Sequence, residues 1–253
     1  MTVSPPLTFQ NRLVPQKLDF LAKRELAENA VDLWIAQPSK LVPLDDWTVP
    51  LTQEERTRAR RYRFEEDQNR YLCGRGMLRA LAGAYLGVDP GALQFVYSEA
   101  GKPELAHDSQ PKDKQPLCFN LSHSGDYVLL GFAWGRAIGV DVELMRQDIE
   151  AEQIATRFFS QQEQRDLLSL DPMARIPAFF RCWTRKEAYV KATGEGLGLP
   201  LSQFDVAFLP GQPAALLATR PDPGEASRWE LRDIGLDPAY ATAVIVESVS
   251  ARP

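Results

Sequence analysis

The sequence predicts an α+β protein made of two similar halves related by a pseudo-twofold, each an antiparallel sheet packed by helices. Three observations carry this. A helix-patterned stretch, Arg70-YLCGRGMLRALAGAYLG, recurs 111 residues later as Arg181-CWTRKEAYVKATGEGLG. Each copy is followed by a β-rich stretch broken at a Gly-x-Pro turn, Gln94-FVYSEAGKPEL and Phe204-DVAFLPGQPAAL, whose glycines Gly101 and Gly211 stand 110 apart. Each half then offers two more strands, and Tyr127 and Tyr240, which open the last of them, stand 113 apart. Landmarks kept in order at a nearly constant offset point to an internal duplication.

Taken in order, Val31-DLWIA is an apolar run of strand length that opens the first half. Arg70 to Gly87 has helical spacing of apolar residues and a closing glycine. The Gly101 hairpin follows, and Asp108-SQPKDKQP, rich in proline and charge and without period, reads as a surface loop. Leu117-CFNL leads through a polar turn to Tyr127-VLLGFA. Ile138-GVDVEL opens the second half, and Trp229-ELRDI leads through Gly235-LDP to Tyr240-ATAVIV. Strands and helices arranged this way are α+β rather than alternating βαβ. The expected halves are residues 1–137 and 138–253, with a small-molecule cleft where they meet.

Composition narrows the function classes. The chain of 253 residues carries 29 Lys+Arg against 34 Asp+Glu, a net charge of −5. With 44% apolar and 25% charged residues it is a folded chain rather than a disordered one. An acidic balance argues against nucleic acid as a partner. Three scattered cysteines, Cys73, Cys118 and Cys182, make neither a disulfide framework nor a zinc knuckle, and suit reduced thiols in the cytoplasm. No apolar run approaches the ~20 residues that cross a bilayer, and MTVSPPLTFQNRL lacks a leader pattern. The expectation is a cytoplasmic protein with no membrane partner.

The chemistry-bearing residues begin with Ile138-GVDVEL. Alternation along a strand puts Asp141 and Glu143 on one face and Val140 and Val142 on the other. The apolar flanks argue for one packed face and one purposeful face. Two hard carboxylates without adjacent His or Cys favour Mg2+ over Zn2+. On the second-half helix, Trp183, Glu187 and Lys191 stand at i, i+4 and i+8, along one face. Taken alone, Glu187 and Lys191 read as a surface ion pair, but Trp183 on the same stripe turns it inward. Phe119-NLSHSGDY reads as a turn whose Asn120, Ser122, His123 and Ser124 offer donors to an anion. Arg56-TRARRYRF packs five arginines into the eight residues from Arg56, either a solvated helix face or a phosphate or acidic-partner site. There is no G-x-S-x-G elbow and no Walker A loop.

Together, Gly139-VDVE, Trp183-TRKEAYVKATGEGL, Gly101-Lys102-Pro103 and Phe119-NLSHSGDY resemble the signatures of the Sfp-type 4′-phosphopantetheinyl transferases, from about Arg56 to about Val246. The resemblance implies that family's fold, a monomer of two α+β halves, and the transfer of phosphopantetheine from coenzyme A to a serine of an acyl, aryl or peptidyl carrier protein, releasing 3′,5′-ADP. It assigns Mg2+ to Asp141, Glu143 and Glu187. It makes Glu187 the base for the carrier serine, directly or through a water, and Lys191 the group that meets the leaving phosphate. For coenzyme A it implies contacts from Arg58 at the 3′-phosphate, Tyr97 to Lys102 on the adenine side, and Asn120, Leu121, Ser122 and His123 along the nucleotide. Arg61, Arg63 and Arg75 are secondary candidates, and Tyr71 stands where some members carry a small hydroxyl residue. Carrier docking is read only as hydrophobic residues near the start of the second half and along the cleft rim. The competing readings are a non-catalytic coenzyme A-binding or carrier-docking protein on the same fold, and a structural α+β protein with accidental acids.

Overall fold

In the computed structural model, residues 6–14, 23–41 and 44–248 are described. The first five residues, part of the stretch read for a leader, lie outside them. The chain divides into two compact units: one holds Leu7–Ser98 with Pro103–Gly135, and the other holds Glu99–Lys102 and the chain from Arg136 onward. No described helix is long and apolar enough to cross a membrane.

The N-terminal unit contains strands β1 (Thr8–Leu13) and β2 (Ala30–Ala36), then helices α1 (Asp45–Thr48), α2 (Gln53–Ala59) and α3 (Glu65–Leu86). A short hairpin of β3 (Phe95–Tyr97) and β4 (Pro103–Leu105) is followed by β5 (Leu117–Ser124) and β6 (Tyr127–Trp134). The main sheet runs β1-β2-β6-β5. Its one parallel pair, β1 on β2, is the departure from the antiparallel sheet expected of the sequence. Thr8–Leu13 has no buried face of its own to announce it. The strand is tied down instead by backbone pairing and by Arg12, whose Nε donates to Asp32 Oδ2 at 3.1 Å.

The C-terminal unit runs β7 (Ile138–Leu144), α4 (Ala151–Phe158), α5 (Gln161–Leu168), α6 (Pro172–Thr193), β8 (Phe204–Val206), β9 (Leu216–Thr219), β10 (Trp229–Arg232) and β11 (Tyr240–Glu247). Its sheet order is β10-β11-β7, all antiparallel, with β8-β9 as a separate hairpin. Element for element this repeats β5-β6-β2, α3 and the β3-β4 hairpin. Helices α3 and α6 are each 22 residues long, and each ends on a left-handed glycine, Gly87 (φ 69°) and Gly194 (φ 76°), where a Cβ would be strained. Three acids open α3, at the positive end of its dipole, and Pro172 opens α6, where its missing N–H costs nothing.

The repeat extends to the buried charges. In the first unit Thr52 and Glu55 form a capping box at the start of α2. Glu55 then reaches α3, accepting from Arg75 Nη2 and Arg79 Nε, each at 2.7 Å. Both guanidinium groups also lie over the Phe95 ring, 4.8 and 5.1 Å from its centroid. In the second unit Ser160 and Glu163 form the capping box of α5, and Glu163 pairs with Lys186 of α6 at 2.8 Å. Arg75 and Lys186 are 111 residues apart, the offset of the helices themselves. Arg75, a secondary candidate for coenzyme A, is therefore held by Glu55 inside its own unit.

Burial alone would raise the Glu55 carboxyl, but hydrogen bonds from Arg79 and the Thr52 backbone, with the charge of Arg75, hold it below the usual carboxylate range. A depressed acid stabilises the fold above its unfolded-state value, and that stability is lost as pH falls through the folded value. Glu55→Gln, leaving two buried guanidinium groups uncompensated, is expected to cost about 3–5 kcal/mol at neutral pH. Chemical denaturation should show that cost, and the gap to wild type should narrow on acidification; an equal gap at all pH values would refute the ion-pair account.

Candidate functional site

The C-terminal unit brings three of the expected residues together by packing β7 against α6. On β7 the side chains of Ile138, Val140 and Val142 are fully buried, and Asp141, on the opposite face, is only 2% exposed. The face that carries the two acids is itself covered at Asp141, with Glu143 half-buried. The face bearing Gly139, Asp141 and Glu143 is the one turned to α6. Gly139 makes the contact possible: a Cβ there would sit 1.9 Å from the Ala188 carbonyl oxygen and 2.6 Å from the Ala192 nitrogen.

Three cations pin α6, Arg181 and Arg185 from the stripe that carries Ala188 and Ala192, and Lys186 from further round the helix. Arg181 Nε donates to the Phe208 carbonyl at 3.0 Å. Arg185 pairs with Asp233 at 2.6 Å and donates to the Ala207 carbonyl. The fully buried Lys186 ammonium pairs with Glu163 and donates to the carbonyls of Leu201 and Phe204 at 2.8 and 2.6 Å, using its three protons. Lys186 lies inside the Trp183-TRKE motif, yet its function is structural. The Ser-x-x-Glu capping signature at Ser160 was the available clue to its partner.

With α6 so fixed, the stripe bearing Glu187 and Lys191 flanks the contact of Ala188 and Ala192 with β7. Lys191 Nζ donates to Asp141 Oδ1 at 2.6 Å, with the lysine partly exposed and the aspartate buried. Glu187, one turn before Lys191, is half-buried beside them. Burial raises its carboxyl above the ordinary value, the charge of Asp141 raises it further, and Lys191 opposes both. Trp183 continues the stripe, stacked on Phe179 at 5.8 Å and meeting Phe158 edge-on at 5.9 Å. Asp141 and Glu187 offer hard oxygen donors of the type a divalent cation of the Mg2+ class takes, while Lys191 already occupies one oxygen of Asp141. Glu143 lies two positions along the same strand face, half-buried and opposite Ala241. Among the described residues, no three His, Cys, Asp or Glu side chains gather closely enough to hold a metal by themselves.

Lys102 belongs to the same unit. Its Nζ donates to the Ala192 carbonyl at 3.1 Å, in the last turn of α6. The other expected coenzyme A contacts belong to the N-terminal unit. Asn120, Ser122 and His123 sit on β5 and not in a turn, because the strand runs on to Ser124 before turning at Gly125. Strand alternation puts Asn120 and Ser122 on one face, each 5% exposed, and the exposed His123 on the other. Arg58, on the exposed face of α2, lies 5.8 Å over the Tyr71 ring, which also packs on Tyr62 at 5.5 Å. Tyr71 is raised by burial and opposed by Arg75 and Arg58, with Tyr97 close enough to act on it. Arg58, Tyr71 and Tyr97 thus form one cluster, with Arg58, Arg61 and Tyr62 lining an adjoining surface hollow. Arg56 is spent on the carbonyls of Thr48 and Leu51, which its place in the arginine run did not reveal.

Comparison with known proteins is consistent over most of the chain. Residues 137–245 match the family model described as the 4′-phosphopantetheinyl transferase superfamily, and residues 37–133 match its 4′-phosphopantetheinyl transferase, N-terminal, counterpart. The 4′-phosphopantetheinyl transferase HetI of Nostoc sp. is 36% identical over 87% of this chain and 96% of its own. The 4′-phosphopantetheinyl transferase Sfp of Bacillus subtilis is 33% identical over 77% of this chain and 81% of its own. The L-aminoadipate-semialdehyde dehydrogenase-phosphopantetheinyl transferase of Mus musculus is 30% identical over 76% of this chain and 66% of its own.

Gly139→Ala tests the close approach directly. Overpacking against backbone costs about 1–3 kcal/mol, and α6 must retreat from β7. The expected result is a lower melting temperature together with loss of the Lys191–Asp141 ion pair, seen as a Lys191 ammonium no longer protected in NMR; an unchanged ion pair would contradict the packing described.

Proposed function

Because the chain belongs to the 4′-phosphopantetheinyl transferase superfamily, we propose that it moves the 4′-phosphopantetheine group of coenzyme A to a serine hydroxyl of an apo acyl or peptidyl carrier protein, releasing 3′,5′-ADP. The observation that carries the proposal is the Asp141–Lys191 ion pair with Glu187 beside it. In the reaction the serine oxygen attacks the phosphorus nearer the pantetheine, and the bond from that phosphorus to the oxygen of 3′,5′-ADP breaks. The serine proton goes to Glu187, directly or through a water. A carboxylate that also holds Mg2+ is a weak base, so passage of the proton through a water is the easier route. Lys191 offsets the charge that builds on the departing phosphate.

Asp141, Glu143 and Glu187 are the residues we propose to hold Mg2+, which when bound would neutralise the pyrophosphate oxygens of coenzyme A. For the nucleotide we propose Arg58 and Tyr97, supported by their convergence on Tyr71, together with Lys102, Asn120, Ser122 and His123. We read the protein as a cytoplasmic monomer; three cysteines free of disulfides support that compartment.

The test incubates the protein with coenzyme A, Mg2+ and a panel of apo carrier proteins, and reads the mass gained by each carrier. Asp141→Ala is expected to lower transfer about 10²-fold or more while the protein stays folded. Lys191→Ala is expected to lower kcat more than it raises KM for coenzyme A. Full turnover in the first variant, or a change confined to KM in the second, would overturn those assignments.

A further inference from the structure

Glu163 lies outside the candidate site, yet its carboxylate is held without slack. It is only 2% exposed, and both oxygens are in use. Oε1 accepts from the Val206 amide of β8 at 2.9 Å. Oε2 accepts from the Ser160 amide at 3.0 Å and meets the Lys186 ammonium at 2.8 Å. The fully buried Cys182 thiol, one turn before Lys186, bonds to the same carboxylate; burial holds it well above its ordinary value, so it stays a neutral donor. Lys186 completes the node through the Leu201 and Phe204 carbonyls, with its ammonium 4.3 Å from the Phe204 ring centroid. One carboxylate thus grips two successive turns of α6 on one stripe and ties them to the start of α5 and to β8.

A charge pair buried this deeply is a poor source of stability. Apolar side chains of the same volume do about as well, because desolvation offsets most of the attraction. What apolar packing lacks is direction: a methionine can slide in its pocket, whereas an ammonium with three fixed acceptors cannot. Direction matters because Lys186 and Glu187 are neighbours in sequence. Side-chain tips stand about 5–6 Å from a helix axis, so a rotation of about 10° carries Glu187 and Lys191 sideways by about 1 Å. A misplacement of that size can cost about 10²-fold in rate. The other ion pair of α6, Arg185 to Asp233, is open to water at the aspartate and yields more easily.

We propose that Glu163 is a positioning residue for the transfer reaction, setting the rotation of α6 through Lys186 and with it the placement of Glu187 and Lys191. The proposal rests on the transfer reading given above. Neither Glu163 nor Lys186 meets the reacting groups; their effect is on where the others stand.

The test replaces the pair by neutral side chains of similar volume, Glu163→Gln with Lys186→Met. Glutamine keeps the capping box of α5, and removing both charges together avoids a stranded ion. Leu216→Ala, which empties part of the core on β9, is the control for stability alone. Each variant of the full chain is assayed with coenzyme A, Mg2+ and a carrier protein that the wild type modifies, alongside its melting temperature and the NMR signal of the Lys191 ammonium. The double variant should stay folded, with kcat lower by about tenfold or more and KM for coenzyme A within about twofold. Its Lys191 ammonium should lose protection as it moves from Asp141. Leu216→Ala should melt at least as early, yet keep kcat within about twofold and Lys191 protected. Should the double variant not fold, Glu163→Gln alone is expected to show the same split between kcat and KM. Unchanged kcat, a loss no larger than that of the control, or failure of both Glu163 variants to fold would overturn the proposal. A wild type that modifies no carrier would instead overturn the transfer reading, and the Lys191 signal would still judge the setting of α6.

Discussion

The distance between the β7 backbone and α6 governs the candidate site. At Gly139 the two backbones meet with no room for even a methyl group, and that closeness lets Lys191 reach Asp141 at 2.6 Å. A helix set further out would break the Lys191–Asp141 pair around a buried carboxylate, at a cost of several kcal/mol. The helix is held in this position by Arg181, Arg185 and Lys186, which bind four backbone carbonyls and two carboxylates. These interactions set the rotation of the helix about its axis. With the cations so engaged, the stripe of Glu187 and Lys191 is fixed as well.

The two units show what duplication kept and what it changed. Both retain a capping-box glutamate that reaches across to a basic residue of the long helix, Glu55 to Arg75 and Glu163 to Lys186. One residue further along, the copies diverge: at the offset of 111, Gly76 stands for Glu187 and Ala80 for Lys191. Carrying the strand register through Gly131 and Val244 sets Trp34 against Asp141. The N-terminal unit thus has no counterpart of the acid–lysine pair. Gly76 there admits the backbone of Trp47, whose carbonyl oxygen would lie 1.9 Å from any Cβ. The same helix-on-sheet frame accepts a packed plug in one unit and polar chemistry in the other, because the charged clamp holding the helix is independent of both.

Much of the fold was readable because period and turn chemistry are local. The helices around Arg70 and Arg181, the Gly101 and Gly211 turns and the strands from Tyr127 and Tyr240 all follow from spacing and from glycines at positive φ. Strand β1 was not readable, since a parallel edge strand with mostly exposed side chains carries no amphipathic signal. The length of β5 was misjudged for a related reason. Asn, Ser and His suggest a turn, but pairing with β6 extends the ladder to Ser124 and separates His123 from Asn120 and Ser122 by strand face.

By itself the sequence determined that Asp141 and Glu143 share a strand face and that Glu187 and Lys191 share a helical stripe, because those facts depend only on backbone period. It also determined family membership, through motifs that spacing alone makes recognisable. Which face of β7 would meet which stripe of α6 was decided by tertiary structure, through a glycine contact and a set of cations reaching residues 15 to 48 positions away. The same long-range packing turned Arg75 and Lys186 into buried anchors. Charge and hydrogen-bond partners of that kind are set by neighbours in space, which a linear pattern does not encode.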